Sequence, residues 1–360
     1  MTSSTIRRGA LSLLHGPLAH RVHHIRISTA SFASLAPQTI PRRAQIASTT
    51  ITTTTNNNNN KTHPRTFSSS SSSSSRKSQA STDDMAAKPE PTGLIANDGI
   101  ELLTFGTPNG YKASIVLEEI KEAYGDKAPK FVWQAINIMK NTQKEEWFTK
   151  ISPNGRIPAI VDHDRGHFAV FEGLAILSYL TKHYDPENKI SFAYDSDDHS
   201  VAEQWMAWQH GGVGPMQGQA NHFIRFAKEK LPYPIQRYAG ETERLYGILD
   251  ARLKDRDFVA GPGRGRFSIA DISLLGWANG TVLGGIDLEG QFPNVNAWLS
   301  RCLERPGVKR GLAIPEPTPF ANKVVLQKIK DDPEARQKAE EIKKLIDDAK
   351  AQYGYKYASP

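Results

Sequence analysis

The feature that most constrains this chain is a change of pattern just before residue 197. Ahead of it, apolar runs of strand length alternate with helical stretches; beyond it only helical periodicity remains. Residues 101–105 read as a short apolar strand and residues 106–110 as a turn. Ile115, Val116, Ile120 and Tyr124 then recur as one face of a helix. Thr107 suits the N-cap of that helix and Pro108 its first position. Residues 131–138 read as a second strand, 145–151 as a short helix and 152–155 as a turn. Residues 157–162 read as a third strand, entered through Pro158. Phe168–Phe171 reads as a fourth, hairpinned after Asp164-Arg165-Gly166. Glu172 opens a helix through Leu174, Ile176, Leu177 and Leu180 to Tyr184. Helical patterns then occupy residues 201–209, 219–230, 234–253, 269–283, 293–305 and 332–351.

The order βαβαββα predicts a thioredoxin-like α/β layer over residues 98–186. Residues 185–196 predict a linker, and residues 197–350 an all-α domain. The 97 residues ahead of the layer predict a disordered leader. Residues 1–82 hold ten Lys or Arg and no acid, whereas residues 83–360 hold 35 basic against 38 acidic residues, net −3. The overall +7 is therefore not a basic patch on the folded body, and nucleic-acid binding is excluded as the reading of the charge. The leader is rich in Arg, Ser and Thr with spaced apolar residues, the composition of a mitochondrial transit peptide. Arg65-Thr66-Phe67-Ser68-Ser69 fits a matrix-peptidase site. Met85 offers a second start, so the chain is expected to be mitochondrial if the leader is used and cytoplasmic if translation begins at Met85. No window approaches the roughly 18 apolar residues of a membrane span. The single cysteine, Cys302, excludes a disulfide framework, a Cys-ligated zinc site and a C-x-x-C dithiol. The eleven histidines show no metal-binding spacing, so no metal is expected.

Three stretches carry a resemblance: Thr107-Pro108-Asn109-Gly110-Tyr111-Lys112, residues 152–160, and residues 171–177. With residues 208–219 and 236–246 they are similar to glutathione transferases. More narrowly, they resemble the subgroup of the bacterial nu-class enzymes and the yeast nitrogen-regulating prion protein. The resemblance spans about residues 98–315 and implies glutathione as co-substrate, a small electrophile or disulfide as the second substrate, and a homodimer. It implies two activities, glutathione transfer and glutathione-dependent disulfide reduction. It also leaves open a non-catalytic regulatory or binding protein, as the yeast regulator is.

The chemistry required is to hold a tripeptide with two carboxylates, one ammonium and one thiol, and to ionise a thiol whose pKa is ordinarily about 8.5. Thr107 and Asn109 stand where unpaired N–H groups and the helix dipole favour an anion. Each can donate a hydrogen bond and neither is a base at neutral pH, so both are expected to stabilise a thiolate. The resemblance implies a cis bond at Ile157-Pro158, with the Ile157 backbone pairing with the cysteinyl unit as an added strand would. Glu172 is expected to take the α-ammonium, and the Gly173 N–H the γ-glutamyl carboxylate. Most relatives have Ser in place of Gly173, so weaker binding is expected here, to be tightened by Gly173→Ser. Gln143 and Arg156, with Lys144, are expected at the glycyl end, and Arg237 at the ligand across a dimer. Ser268 and Asp271 are expected to form a structural capping box. Trp205, Trp208, Phe223 and Tyr246 are expected mainly in the core, with some walling the electrophile pocket. Cys302 is expected to be a packed hydrophobe.

Overall fold

The computed structural model describes residues 93–354. The expectations for the leader up to residue 92, its disorder, its targeting role and Met85, fall outside those residues; residues 93–97 are described, with the Gly93 carbonyl accepting from Gln134 Nε2. In chain order come β1 (Ile100–Thr104), α1 (Gly110–Tyr124), β2 (Phe131–Ala135), α2 (Glu146–Ile151), β3 (Ala159–Asp162), β4 (Phe168–Phe171) and α3 (Gly173–Tyr184). The sheet order is β2-β1-β3-β4, with β1 parallel to β2 and antiparallel to β3, and β3 antiparallel to β4. Residue alternation divides the core between the two faces. Leu102 and Ile160 pack with Ile115, Val116, Ile120, Ile176 and Leu177 of α1 and α3. Leu103 and Ala159 pack on the opposite face with Ile136 and with Phe148 of α2. Burying one such side chain is worth about 1.5–3 kcal/mol. Glu101 is tolerated in the central strand because its carboxylate accepts the N–H groups of Ile95 and Ala96 and the Gln134 amide.

After Phe171 no strand appears among the described residues. The helices are α4 (Asp197–Trp208), α5 (Gly214–Asn221), α6 (Pro232–Leu253), α7 (Ile269–Ala278), α8 (Leu288–Gln291), α9 (Pro293–Leu303), α10 (Pro306–Gly311), α11 (Asn322–Asp331) and α12 (Pro333–Tyr353). Several bounds differ from expectation. The helix predicted over 219–230 begins earlier, at Gly214, and closes through a π-helical turn, His222–Phe226. Ala227 is extended there, and the Lys230 ammonium takes the Ile224 and Ala227 carbonyls that the ending helix leaves unpaired. A second π-helical turn, Gln209–Val213, makes α4 and α5 continuous where a break was expected. The helix predicted over 269–283 stops at Ala278, and α8, α10 and α11 were not foreseen.

Helix α1 is wedged between the sheet and the later helices. A Cβ on Gly311 would lie 2.5 Å from the Ile115 Cα, and one on Gly276 would lie 2.4 Å from the Pro108 carbonyl oxygen. Only glycine permits either approach. Ser114 Oγ donates to the Gly311 carbonyl at 2.8 Å. Arg305 makes a two-point bond to Glu119, and Arg310 reaches Glu118 and Glu122. These contacts set α7 against the start of α1, which is where the cleft forms. The residue 185–196 stretch is not slack: the Asp185 carboxylate accepts from Lys189 N, Ile190 N and Ser191 Oγ, and Ile190 and Phe192 enter the core.

Candidate functional site

A cavity of about 770 Å³ lies between the starts of α1 and α3 on one side and the α4–α5 connection and α7 on the other. Of the residues singled out in the sequence, Thr107, Asn109, Gln143, Arg156, Ile157, Pro158, Glu172 and Gly173 all line it. Arg237 does not; it lies on α6 with Nη1 4.0 Å from Glu241.

Helix α1 begins at Gly110 with Asn109 as its N-cap, two residues later than the expected Thr107 cap; Thr107 Oγ1 still accepts the Gly110 N–H at 3.1 Å and its carbonyl the Tyr111 N–H at 3.0 Å. That leaves the hydroxyl proton to be donated elsewhere. The Asn109 side-chain oxygen accepts the Trp277 indole N–H at 3.1 Å. An indole nitrogen only donates, so this contact fixes the amide: oxygen toward Trp277, NH₂ free for a ligand. The Ile157-Pro158 peptide is cis, and among the described residues the Ile157 N–H and C=O have no partner.

Glu172 has φ +72°, a left-handed backbone unusual outside glycine. Such a geometry costs about 1–3 kcal/mol and is held by its surroundings. It caps no helix N–H of its own; instead its carboxylate faces outward, with Asn154 Nδ2 at 3.3 Å and His210 Nε2 at 3.4 Å. Gly173 follows as the first residue of α3, where first-turn N–H groups have no helical partner.

At the third side, Gln143 is buried, with Nε2 3.4 Å from the Ile138 carbonyl and Oε1 without a partner. That acceptor calls for an N–H rather than a carboxylate. Arg156 is exposed at the rim, and among the described residues it forms no ion pair. Lys144 corrects its expectation: its ammonium donates to the Gly155 carbonyl at 2.7 Å and braces the 152–155 turn rather than lining the cleft.

Among the lining residues with no role assigned in the sequence are Lys112, Gln209, His210 and Trp277. Lys112 is only 2% exposed, and its Nζ donates to Gln209 Oε1 at 2.6 Å. Burial pulls the lysine down to about 7, with Glu172 acting in the opposite direction. A lysine inside the otherwise uncharged stretch 110–117 was the available signal. The π-helical turn sets Gln209 and His210 into the wall, a common use of such turns. Of the aromatics, none of Trp205, Trp208, Phe223 and Tyr246 lines the cavity; Trp277 does. Tyr246 is buried and bonds Gln217, and Phe223 stacks on Tyr238.

The remaining expectations are structural. Ser268 and Asp271 form the capping box, and Asp271 also accepts from Val259 N and Trp298 Nε1. Cys302 is fully buried and burial pushes its thiol up. Among the described residues no group of three or more His, Cys, Asp or Glu is placed to hold a metal, and no helix is long and apolar enough to cross a membrane.

Two family models match the chain: the glutathione S-transferase N-terminal domain over residues 127–183 and the C-terminal domain over residues 233–306. Disulfide-bond oxidoreductase YfcG of Escherichia coli is 36% identical over 217 residues, 59% of this chain and 94% of that protein. Among solved structures, the glutathione transferase URE2P8 of Phanerochaete chrysosporium with oxidized glutathione is 32% identical, with TM-score 0.56, covering 61% of this chain and 96% of that one. A glutathione transferase homolog from Lodderomyces elongisporus, with two GSH per subunit, is 36% identical with TM-score 0.56, covering 61% and 99%. The matched models and the near-complete coverage of these relatives show that this chain belongs to the glutathione S-transferase family.

Proposed function

We propose that this chain is a glutathione-dependent enzyme that transfers glutathione to small electrophiles and reduces small disulfides. One observation carries the reading: the Thr107 hydroxyl and the Asn109 amide are both held with a donor to spare at the start of α1, in the same cleft as Glu172 and Gly173. A glutathione sulfur placed there meets two side-chain donors and the positive end of a 15-residue helix, which favour its thiolate. The Ile157 backbone pairs with the cysteinyl unit, Glu172 takes the α-ammonium, and the α3 N-terminus takes the adjacent carboxylate. Gln143 and Arg156 serve the glycyl end, Gln143 through its free acceptor and Arg156 through its charge.

In transfer to an aryl halide, the thiolate forms a carbon–sulfur bond, the carbon–halogen bond breaks and halide leaves. In reduction, it attacks one sulfur of a disulfide and releases the other as thiolate. A second glutathione thiolate then attacks the mixed disulfide, giving oxidised glutathione and the second thiol. No protein thiol takes part, in keeping with a buried Cys302. Relatives named as a disulfide-bond oxidoreductase and as a transferase with oxidized glutathione support both activities and the nu-class and Ure2-like subgroup. We also propose a homodimer in which Arg237 reaches the partner's cleft, and a leader that directs the chain to mitochondria unless translation starts at Met85.

The test is glutathione-dependent turnover of a dialkyl disulfide and of an aryl halide. Asn109→Ala is expected to lower kcat/KM by about 10- to 100-fold, with the protein still folded. No turnover of either substrate by the wild type, together with no retention on immobilised glutathione, would leave the non-catalytic binding reading in its place.

A further inference from the structure

The cleft wall holds a positive charge that the fold does not balance. Lys112 is 2% exposed, and among the described residues its ammonium makes one hydrogen bond, to the neutral Gln209 amide oxygen at 2.6 Å. Two of its three donors are unused. Glu172 acts on it through space but forms no ion pair with it, being held between Asn154 and His210. Lysines this deeply buried are ordinarily paired with an anion. A second group on the same wall is also incomplete: Gln209 Nε2 is buried with no partner.

The location of the charge narrows the missing anion. A Cβ built on Gly173 would lie 3.3 Å from Lys112 Cδ and 3.8 Å from its Nζ. The ammonium therefore stands beside the first turn of the 12-residue helix α3, whose free N–H groups favour the same sign of ligand. We infer that Lys112 is the counter-charge for the α-carboxylate at the γ-glutamyl end of glutathione, acting together with the α3 first turn. This assignment rests on the glutathione reading above. It gives the bare Gly173 a purpose: the lysine stem occupies the space that a side chain there would crowd.

The facing groups that bear on its protonation are Glu172 at the α3 start, His210 beside it, and the neutral Gln209. Ligand-free, the ammonium loses its proton near neutrality; a bound carboxylate favours the charged form. Binding above neutral pH therefore takes up a proton at Lys112 Nζ.

Calorimetry with S-methylglutathione, whose blocked thiol cannot titrate, reads this directly against an analogue lacking the α-carboxylate. In the wild type, loss of the carboxylate is expected to weaken binding by about 10- to 100-fold. Lys112→Met is expected to bind S-methylglutathione more weakly by a similar factor and to bind the analogue as the wild type does. At about pH 8 the wild-type heat of binding is expected to depend on the buffer's ionisation heat in the sense of proton uptake for S-methylglutathione, and not for the analogue. Wild-type affinity in Lys112→Met, or no carboxylate-dependent proton uptake by the wild type, overturns the assignment; the second measurement decides should the variant not fold. Failure of the wild type to bind S-methylglutathione at all removes the glutathione reading itself, and the assignment with it.

Discussion

At Asn109 the direction of a donor is settled by a residue 168 positions away in sequence, because the Trp277 indole can take only the oxygen end of the amide. Gly173 illustrates the same dependence on distant neighbours. Its sequence alone suggests that Gly173→Ser would restore a hydroxyl and tighten glutathione binding. In the structure the new Cβ meets the Lys112 stem at 3.3 Å, closer than ordinary van der Waals contact. Gly173→Ser is therefore expected to leave the Kd for S-methylglutathione unchanged or raise it, measured by calorimetry; a gain of about tenfold, the upper worth of one hydrogen bond, would contradict this. Lys112 also carries a pH signature in the ligand-free protein. Its folded pKa lies below its unfolded value, so the unfolded chain binds more protons above neutrality and this residue's cost to stability falls as pH rises from about 7. That Thr107, Asn109, Ile157, Pro158 and Glu172 line one cleft was legible because each sits in a short stretch that carries the family resemblance. Lys112, Gln209 and Trp277 were not, because their roles exist only through contacts between segments 97 and 168 residues apart.

The elements of the first half were legible in order and type, since each strand is a short apolar run bounded by Gly, Pro or Asn. The second half was read as helical throughout, but its interruptions were hidden. Nothing in the periodicity of residues 208–226 distinguishes an i→i+4 ladder from the two wider turns that shape the cleft wall. Helix α7 rests on its capping box, and there Asp271 serves four donors: its own helix's Ser268 N–H and hydroxyl, Val259 N–H and the Trp298 indole. Burial nevertheless raises its carboxyl to about 6. Asp271→Ala strips partners from several buried donors at once and is expected to cost about 3–5 kcal/mol, read as a fall in the urea midpoint. Since Trp277 sits at the far end of that helix, any Asp271→Ala protein that still folds is expected to show looser Asn109 geometry as well.

On the scale of the whole molecule, the charge is divided unevenly along the chain. The basic residues of the first 82 positions precede a stretch of net charge −3, and among the described residues the cleft draws on none before Thr107. A chain started at Met85 is therefore expected to turn over a dialkyl disulfide as fast as the chain started at Met1. A C-terminal fluorescent fusion begun at Met1 is expected to reach mitochondria, and one begun at Met85 to remain in the cytosol. Equal distribution of the two fusions would remove the targeting role of the leader.

The fit of Gly311 against Ile115 and of Gly276 against Pro108 bears on how such a body can be taken apart. Helix α1 has one flank in the sheet's core and the other in the helical half, and at Gly311 and Gly276 the two halves meet backbone to backbone. A gene cut at residues 185–196 would not release a self-sufficient glutathione-binding module. It would yield a sheet whose catalytic helix presents a bare backbone groove to water, together with buried carboxylates at Glu118 and Glu119 stripped of their arginines.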